Sequence, residues 1–278
     1  MEIYKLAVLG NPIAHSLSPE IHKVFARQTG IELSYERLLV PENEFQATAD
    51  RFLEEGGTGF NVTLPCKGDA YQFANQCSGS ADRCKAVNTI SVNSRGQTMG
   101  ENTDGPGLVR DLIFNRGWKI GNQRVLVLGA GGAVRGVLWD LLRASPELIH
   151  LHNRTGSRAE SVVSTLNVER NNDRLMAVDS SELSESYDLV INGTSAGLQG
   201  EVPDLPARIL GPGTCCYDMV YGSSKTSFNT WCRDTANCEV ADGLGMLVEQ
   251  AALAFQIWFP ETDSLDTAEV ISSLRKNL

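Results

Sequence analysis

Short runs rich in Val, Ile and Leu alternate with segments whose apolar residues recur at helical spacing. This alternation predicts an α/β fold built on parallel sheets. Residues 3–9 form the first expected strand. A helix follows from Ser18, read as its N-cap, with Pro19 at the first helical position and Gly30 ending it. Strand 33–40 stops at Pro41, helix 42–55 at Gly56-Gly57, and strand 59–64 at Pro65. After a helix to about residue 77, strand 86–92 turns through Asn93-Ser94-Arg95-Gly96 into 97–100 as a hairpin. A helix near 106–116 precedes a second β/α series: strand 124–128, helix 133–143, strand 148–152, helix 158–166 and strand 188–192. Strands 214–219 and 238–240 complete that sheet, and helical stretches 244–259 and 266–276 follow. The restart of the pattern puts a domain boundary near 103–106, and 278 residues suit two domains.

Composition narrows the function classes. At 42% hydrophobic and 21% charged, the chain is ordinary for a globular protein and too apolar for disorder. Lys+Arg number 24 against 34 Asp+Glu, a formal net charge of -10, which disfavours a nucleic-acid partner. Apolar runs such as that at 125–128 are far short of the roughly 20 residues of a membrane span, so no membrane association is expected. The opening Met1-Glu2-Ile3-Tyr4-Lys5-Leu6 lacks a basic region followed by an apolar stretch, so no secretory leader is expected. The seven cysteines, an odd number without C-x-x-C spacing, read as small hydrophobes of a reducing cytoplasm. His150 and His152 fall on one face of a strand with no third ligand nearby, so no metal site is expected.

The strongest local signal is Val125-Leu126-Val127-Leu128 running into Gly129-Ala130-Gly131-Gly132-Ala133. Glycines between a buried strand and a helix let the backbone approach a pyrophosphate, which the helix N-terminal amides stabilise. The fingerprint is imperfect, because Val134 stands at its third glycine position. The end of the next strand selects the dinucleotide: an acid there binds the ribose 2′-hydroxyl of NAD, an arginine the 2′-phosphate of NADP. Asn153-Arg154-Thr155-Gly156-Ser157-Arg158 has two arginines and no carboxylate until Glu160, which favours NADP.

Polar residues in the first half fall at strand ends and loops. Ser16 and Ser18 place two hydroxyls before a helix, suited to a carboxylate; N-capping alone explains Ser18 but not Ser16. Asn61 and Thr63 share one face of a strand, with Lys67 just past its end. Asn88 interrupts an apolar run, where an unpartnered amide is costly, and Asp104 sits at the domain junction.

In this order these residues resemble the shikimate dehydrogenase family. The resembling blocks are Gly10-Asn11-Pro12-Ile13-Ala14-His15-Ser16-Leu17-Ser18-Pro19, Asn61-Val62-Thr63 with Pro65 and Lys67, Ala86-Val87-Asn88-Thr89 and Asn102-Thr103-Asp104-Gly105. The glycine loop, Asn153-Arg154-Thr155 and Ala241-Asp242-Gly243-Leu244-Gly245-Met246 complete the set. The resemblance implies an N-terminal α/β substrate domain, residues 1–104 with 242–278, and a Rossmann-like, doubly wound NADP-binding domain, residues 105–241. It further implies reversible NADPH-dependent reduction of 3-dehydroshikimate to shikimate in chorismate and aromatic amino-acid synthesis. Ser16 and Ser18 would hold the substrate carboxylate, and Thr63, Asn88, Asp104, Tyr221 and Gln250 its ring hydroxyls. Lys67 and Asp104 would be the catalytic pair. Gly129, Ala130, Gly131, Gly132 and Ala133 would cradle the pyrophosphate, and Asn153, Arg154, Thr155 and Arg158 the 2′-phosphate. Met219 and Gly243 would lie near the nicotinamide. Two residues depart from the family pattern: Cys66, where an aromatic or histidine is common, and Gly79, where some members carry an acid. A quinate/shikimate dehydrogenase with looser cofactor use and a non-catalytic NADP-sensing protein remain as alternatives. A cytoplasmic monomer or homodimer is the expected state.

Overall fold

The computed structural model describes residues 3–167, 173–196, 200–262 and 265–278. The chain divides into two compact units. Unit 1 comprises Met1–Gly107 with Val248–Ser273, and unit 2 comprises Leu108–Leu247 with Leu274–Leu278.

Unit 1 is built on a sheet of order β2-β1-β3-β5-β6-β4. Its strands are β1 (Tyr4–Gly10), β2 (Leu33–Leu39), β3 (Gly57–Val62), β4 (Gln76–Cys77), β5 (Thr89–Val92) and β6 (Thr98–Glu101). β1 is parallel to β2 and β3, whereas β5 runs antiparallel to both β3 and β6. One consequence decides where chemistry can sit: β3 and β6 both end, and β5 begins, at the same edge of the sheet. The register Asn61↔Thr89↔Glu101 fixes that edge. β1 is apolar on both faces because helices cover both, which removes the in–out alternation of a half-exposed strand. One face buries Phe60 and Val62 against Phe45, Ala49 and Phe52 of α2 (Phe45–Glu54). On α1 (Ser18–Thr29), Phe25 packs 5.7 Å from Phe255 of α9 (Leu244–Trp258). Gly30 ends α1 in the left-handed region at φ 71°, a conformation cheap only for glycine.

Unit 2 is a parallel sheet of order β12-β11-β10-β7-β8-β9, the doubly wound arrangement expected from the sequence. Its strands are β7 (Arg124–Leu128), β8 (Leu148–His152), β9 (Leu175–Ala177), β10 (Tyr187–Asn192), β11 (Leu210–Asp218) and β12 (Glu239–Asp242). Val125, Val127, Leu189 and Ile191 meet Val134, Val137, Leu138 and Leu141 of α6 (Gly132–Arg143) in its main core. α7 (Gly156–Asn167) adds Ala159 and Val162 to the same core.

The structure adds elements that periodicity does not show. α3 (Lys67–Phe73), β4 and α4 (Gly79–Cys84) replace one expected helix ending near residue 77. α4 is too short for a visible period and depends on the Ser78 side chain, which accepts from the Ala81 N–H. β9 and α8 (Ser227–Ala236) were likewise not expected. β9 has three residues, and α8 buries only Phe228, Asn229 and Cys232. The expected helix at 106–116 is α5 (Asp104–Arg110), continuing as a π-helical turn over Asp111–Asn115. α10 (Thr267–Asn277) ends the chain's secondary structure. Phe60→Ala should cost about 3–5 kcal/mol, because a fully buried ring between three aromatic neighbours leaves a cavity that a sheet cannot collapse. Urea unfolding checks this, and a loss below about 1 kcal/mol would contradict the packing described.

Candidate active site

The shared edge of the unit 1 sheet collects the polar residues singled out above. Lys67 opens α3 just past β3, and Asp104 opens α5 just past β6. Lys67 Nζ donates to Asp104 Oδ2 at 2.5 Å. The Asp104 side chain is only 9% exposed and the Lys67 side chain 21%, so the pair is shielded yet reachable. The other Asp104 oxygen accepts from Asn88 Nδ2 at 2.9 Å. Asn88, 2% exposed, also donates to Thr103 Oγ1 and Gln250 Oε1, and its own oxygen accepts from the Thr103 N–H and Thr89 Oγ1. Gln250 reaches this point because Gly107 lets α5 touch α9; a Cβ there would meet Gln250 backbone at 2.8 Å. Such a buried amide, satisfied at both ends, is rigid.

A second layer was largely missed by sequence reasoning. Asn61 Nδ2 donates to the Asn88 carbonyl and to Thr89 Oγ1, each at 3.1 Å. Asn61 Oδ1 in turn accepts from Tyr35 Oη at 2.6 Å and from His22 Nε2 at 3.1 Å. His22 also stacks on Tyr35 with ring centroids 4.5 Å apart. Since Asn61 Oδ1 is an acceptor, His22 carries its proton on Nε2 and leaves Nδ1, buried and unpartnered, as a bare lone pair. Burial pulls the His22 pKa from 6.5 down to about 3, with the Asn61 hydrogen bond working the other way. Burial likewise pushes the Tyr35 phenol well above its ordinary range, opposed by a Ser18 hydrogen bond. The available signal was His22 standing between Ile21 and Phe25 on the apolar face of α1.

Ser18 does not cap α1. Leu17 holds the N-cap position without a side-chain bond, and the Ser16 hydroxyl accepts from the Ser18 N–H at 3.3 Å. Ser16 Oγ donates to Ser18 Oγ at 3.2 Å, so the two hydroxyls form one cluster. Thr63 follows β3, its N–H bonded to the Leu9 carbonyl, and its methyl fills the space a Gly10 side chain would need. Of the two departures, Cys66 is a buried core residue whose thiol burial pushes up. Gly79 leaves its space to the Arg83 guanidinium, which donates to the Gly79 carbonyl at 2.6 Å.

Unit 2 holds the remaining candidates. Gly129 has φ 104° and its N–H bonds the His152 carbonyl. A side chain there would press on the Gly193 backbone at 3.0 Å. Ala130 is buried. Gly131 caps α6 with no side-chain acceptor, and side chains at Gly131 or Gly132 would meet only open space. The helix N–H groups beginning at Gly132 and Ala133 thus face an open cradle of anion-binding character. Val134 at the imperfect fingerprint position is tolerated because Gly193 across from it lacks the side chain Val134 would strike. Arg154, Thr155 and Arg158 are exposed where β8 passes into α7, with Asn153 Nδ2 donating to the Thr155 carbonyl. Among the described residues neither guanidinium has an acidic partner. This donor set fits a dinucleotide carrying a 2′-phosphate.

Met219 and Gly243 are close: Met219 N–H bonds the Asn192 carbonyl, and a Gly243 side chain would collide with the Met219 carbonyl. Beneath them, Asn192 Nδ2 donates to Asp218 Oδ1 at 3.1 Å, and burial raises the Asp218 pKa. Tyr221, half-buried with its phenol pushed up by burial, also belongs to unit 2. His150 and His152 spend their Nδ1 atoms on Tyr187 and on the Val178 carbonyl. No metal-ligating cluster occurs among the described residues.

Three family models match the chain. They are the shikimate dehydrogenase substrate binding domain at residues 8–90, shikimate / quinate 5-dehydrogenase at 112–199, and the shikimate 5′-dehydrogenase C-terminal domain at 243–262. A shikimate dehydrogenase (NADP(+)) of Alkalilimnicola ehrlichii is 48% identical over 271 residues, covering 98% of each chain. Among solved structures, the Ael1 enzyme of Pseudomonas putida is 39% identical with a TM-score of 0.91, covering 98% of each chain. The shikimate 5-dehydrogenase of Thermus thermophilus, solved with NADP(H) and shikimate, is 33% identical with a TM-score of 0.87, covering 99% of this chain and 100% of that one.

His22 generates a pH prediction. Its folded pKa is depressed, so its contribution to stability is complete above about pH 6.5 and is lost as pH falls toward about 3. Wild-type Tm should therefore drop more steeply than that of His22→Gln between about pH 6.5 and about pH 4. Parallel Tm curves would contradict a buried neutral imidazole.

Proposed function

The chain belongs to the shikimate dehydrogenase family, and from that premise we propose that it catalyses the reversible NADPH-dependent reduction of 3-dehydroshikimate to shikimate. The observation that carries the reading is the Lys67–Asp104 pair anchored by Asn88. Residues 1–104 with 242–278 serve as the substrate domain and 105–241 as the cofactor domain.

Bound cofactor supplies the hydride. The chain's task is then to meet the charge that develops on the substrate's carbonyl oxygen. Lys67 stabilises that oxygen and passes it a proton from Nζ, an arrangement worth more in the transition state than in the ground state. Asp104 aims the ammonium through Oδ2 while Asn88 holds Oδ1, so the acid cannot turn away from its task. Ser16 and Ser18 take the carboxylate, and Thr63, Asn88, Asp104, Tyr221 and Gln250 the ring hydroxyls. Gly129, Ala130, Gly131, Gly132 and Ala133 hold the pyrophosphate, and Met219 and Gly243 border the nicotinamide. Asn153, Arg154, Thr155 and Arg158 read the 2′-phosphate.

No helix among the described residues is long and apolar enough to cross a membrane. Seven free thiols and a biosynthetic reaction suit the cytoplasm, with the chain as a monomer or homodimer. In the oxidative direction, absorbance at the nicotinamide band should rise with shikimate and NADP⁺, and far less with NAD⁺. No change with shikimate or quinate and either cofactor would overturn the activity; equal rates with quinate would assign the broader quinate/shikimate specificity. Arg154→Ala or Arg158→Ala should each raise KM for NADP⁺ about tenfold or more, as expected from roughly 1.5–3 kcal/mol per charge-assisted hydrogen bond. KM for NAD⁺ should hardly change, and equal weakening of both cofactors would remove the 2′-phosphate role.

A further inference from the structure

The two hydroxyls proposed for the substrate carboxylate carry no charge, and the loop that bears them is held by a residue outside the motif. Arg37, on edge strand β2, donates from Nε and Nη2 to the Ser16 carbonyl at 2.8 and 2.6 Å. Its Nη2 also meets both carboxylate oxygens of Glu20, in the first turn of α1, at 2.8 Å. Ion pairing alone explains little: the Arg37 side chain is 32% exposed and that of Glu20 50%, and such surface pairs contribute about 0–1 kcal/mol. The carbonyl clamp is different in kind. A guanidinium is a planar fork, and two of its N–H groups on one oxygen fix the direction of that C=O bond.

Fixing the direction matters because a carbonyl oxygen facing a carboxylate repels it. With the Ser16 carbonyl drawn to Arg37, the Leu17 N–H of the same planar peptide points the opposite way. The same turn then sets Ser16 Oγ, which accepts from the Ser18 N–H and donates to Ser18 Oγ. Ties before Ser16 join its N–H to the Ile13 carbonyl and the Asn11 N–H and Nδ2 to the Leu64 and Val40 carbonyls. After it the Leu17 carbonyl accepts from the Ile21 N–H, and none of these bonds engages the Ser16 carbonyl.

We propose that Arg37 is a positioning residue for the substrate carboxylate, acting through the Ser16 peptide and the Ser16–Ser18 hydroxyl pair. The proposal rests on the assignment of those hydroxyls to the carboxylate. Arg37→Lys keeps the charge without the fork, and Arg37→Met keeps the alkyl stem without either. Both should raise KM for shikimate about tenfold, a shift of about 1.4 kcal/mol. kcat should stay within about threefold, and KM for NADP⁺ should not change.

The deciding measurement is coupling. In a Ser16→Ala/Ser18→Ala background, which itself raises KM for shikimate, Arg37→Met should add well under tenfold, because the hydroxyl pair it positions is gone and only the peptide remains. A full tenfold effect in that background would overturn the proposal, as would an unchanged KM in the single variants or a uniform loss of kcat and cofactor binding. If the serine double variant leaves KM for shikimate unchanged, the carboxylate assignment falls and the role of Arg37 with it.

Discussion

A buried carboxylate between one fixed amide and one lysine is the interaction on which the active end of unit 1 depends. Asp104 is acceptable in its nearly buried position because both oxygens are occupied, one by Asn88 and one by Lys67. The sheet topology makes this possible. With β5 antiparallel to both its neighbours, β3 and β6, the residues that follow β3 and β6 and precede β5 arrive at one edge. An all-parallel continuation would have sent the start of β5 to the far edge. The antiparallel insertion is therefore the feature that converts three separate motifs into one site.

Behind that site stands a chain of neutral hydrogen-bonding groups, from Asn88 through Asn61 to Tyr35 and His22. Burial keeps His22 neutral, so the chain of donors and acceptors has one fixed polarity. Unit 2 follows another logic. Its glycine loop and the start of α7 leave donors and two arginines exposed, as suits a large anionic ligand that supplies the missing charge.

Most of the larger elements were legible in the pattern of apolar positions, and β7, α6 and β8 almost to the residue, since a fully buried strand and an amphipathic helix carry strong periods. What failed was short or capped by side chains. β4 has two residues and α4 six, and neither exposes a period. Serine before proline is a common helix start and so suggests a cap at Ser18, whereas Leu17 stands at the N-cap and the Ser16 hydroxyl accepts from the Ser18 N–H. Site residues carried by motifs were visible, but His22, Tyr35 and Arg37 were not. Each lies on an ordinary helix or strand, and only the folded sheet shows that Asn61 or the Ser16 carbonyl is its partner.

The role proposed for Lys67 is to meet charge which exists only in the transition state. Steady-state kinetics of purified Lys67→Ala, with shikimate and NADP⁺ affinities measured on the same protein, tests it most directly. kcat should fall by about 10²–10⁴-fold with both affinities nearly preserved. A kcat close to wild type would contradict it and leave Lys67 as no more than the partner that lets Asp104 be buried.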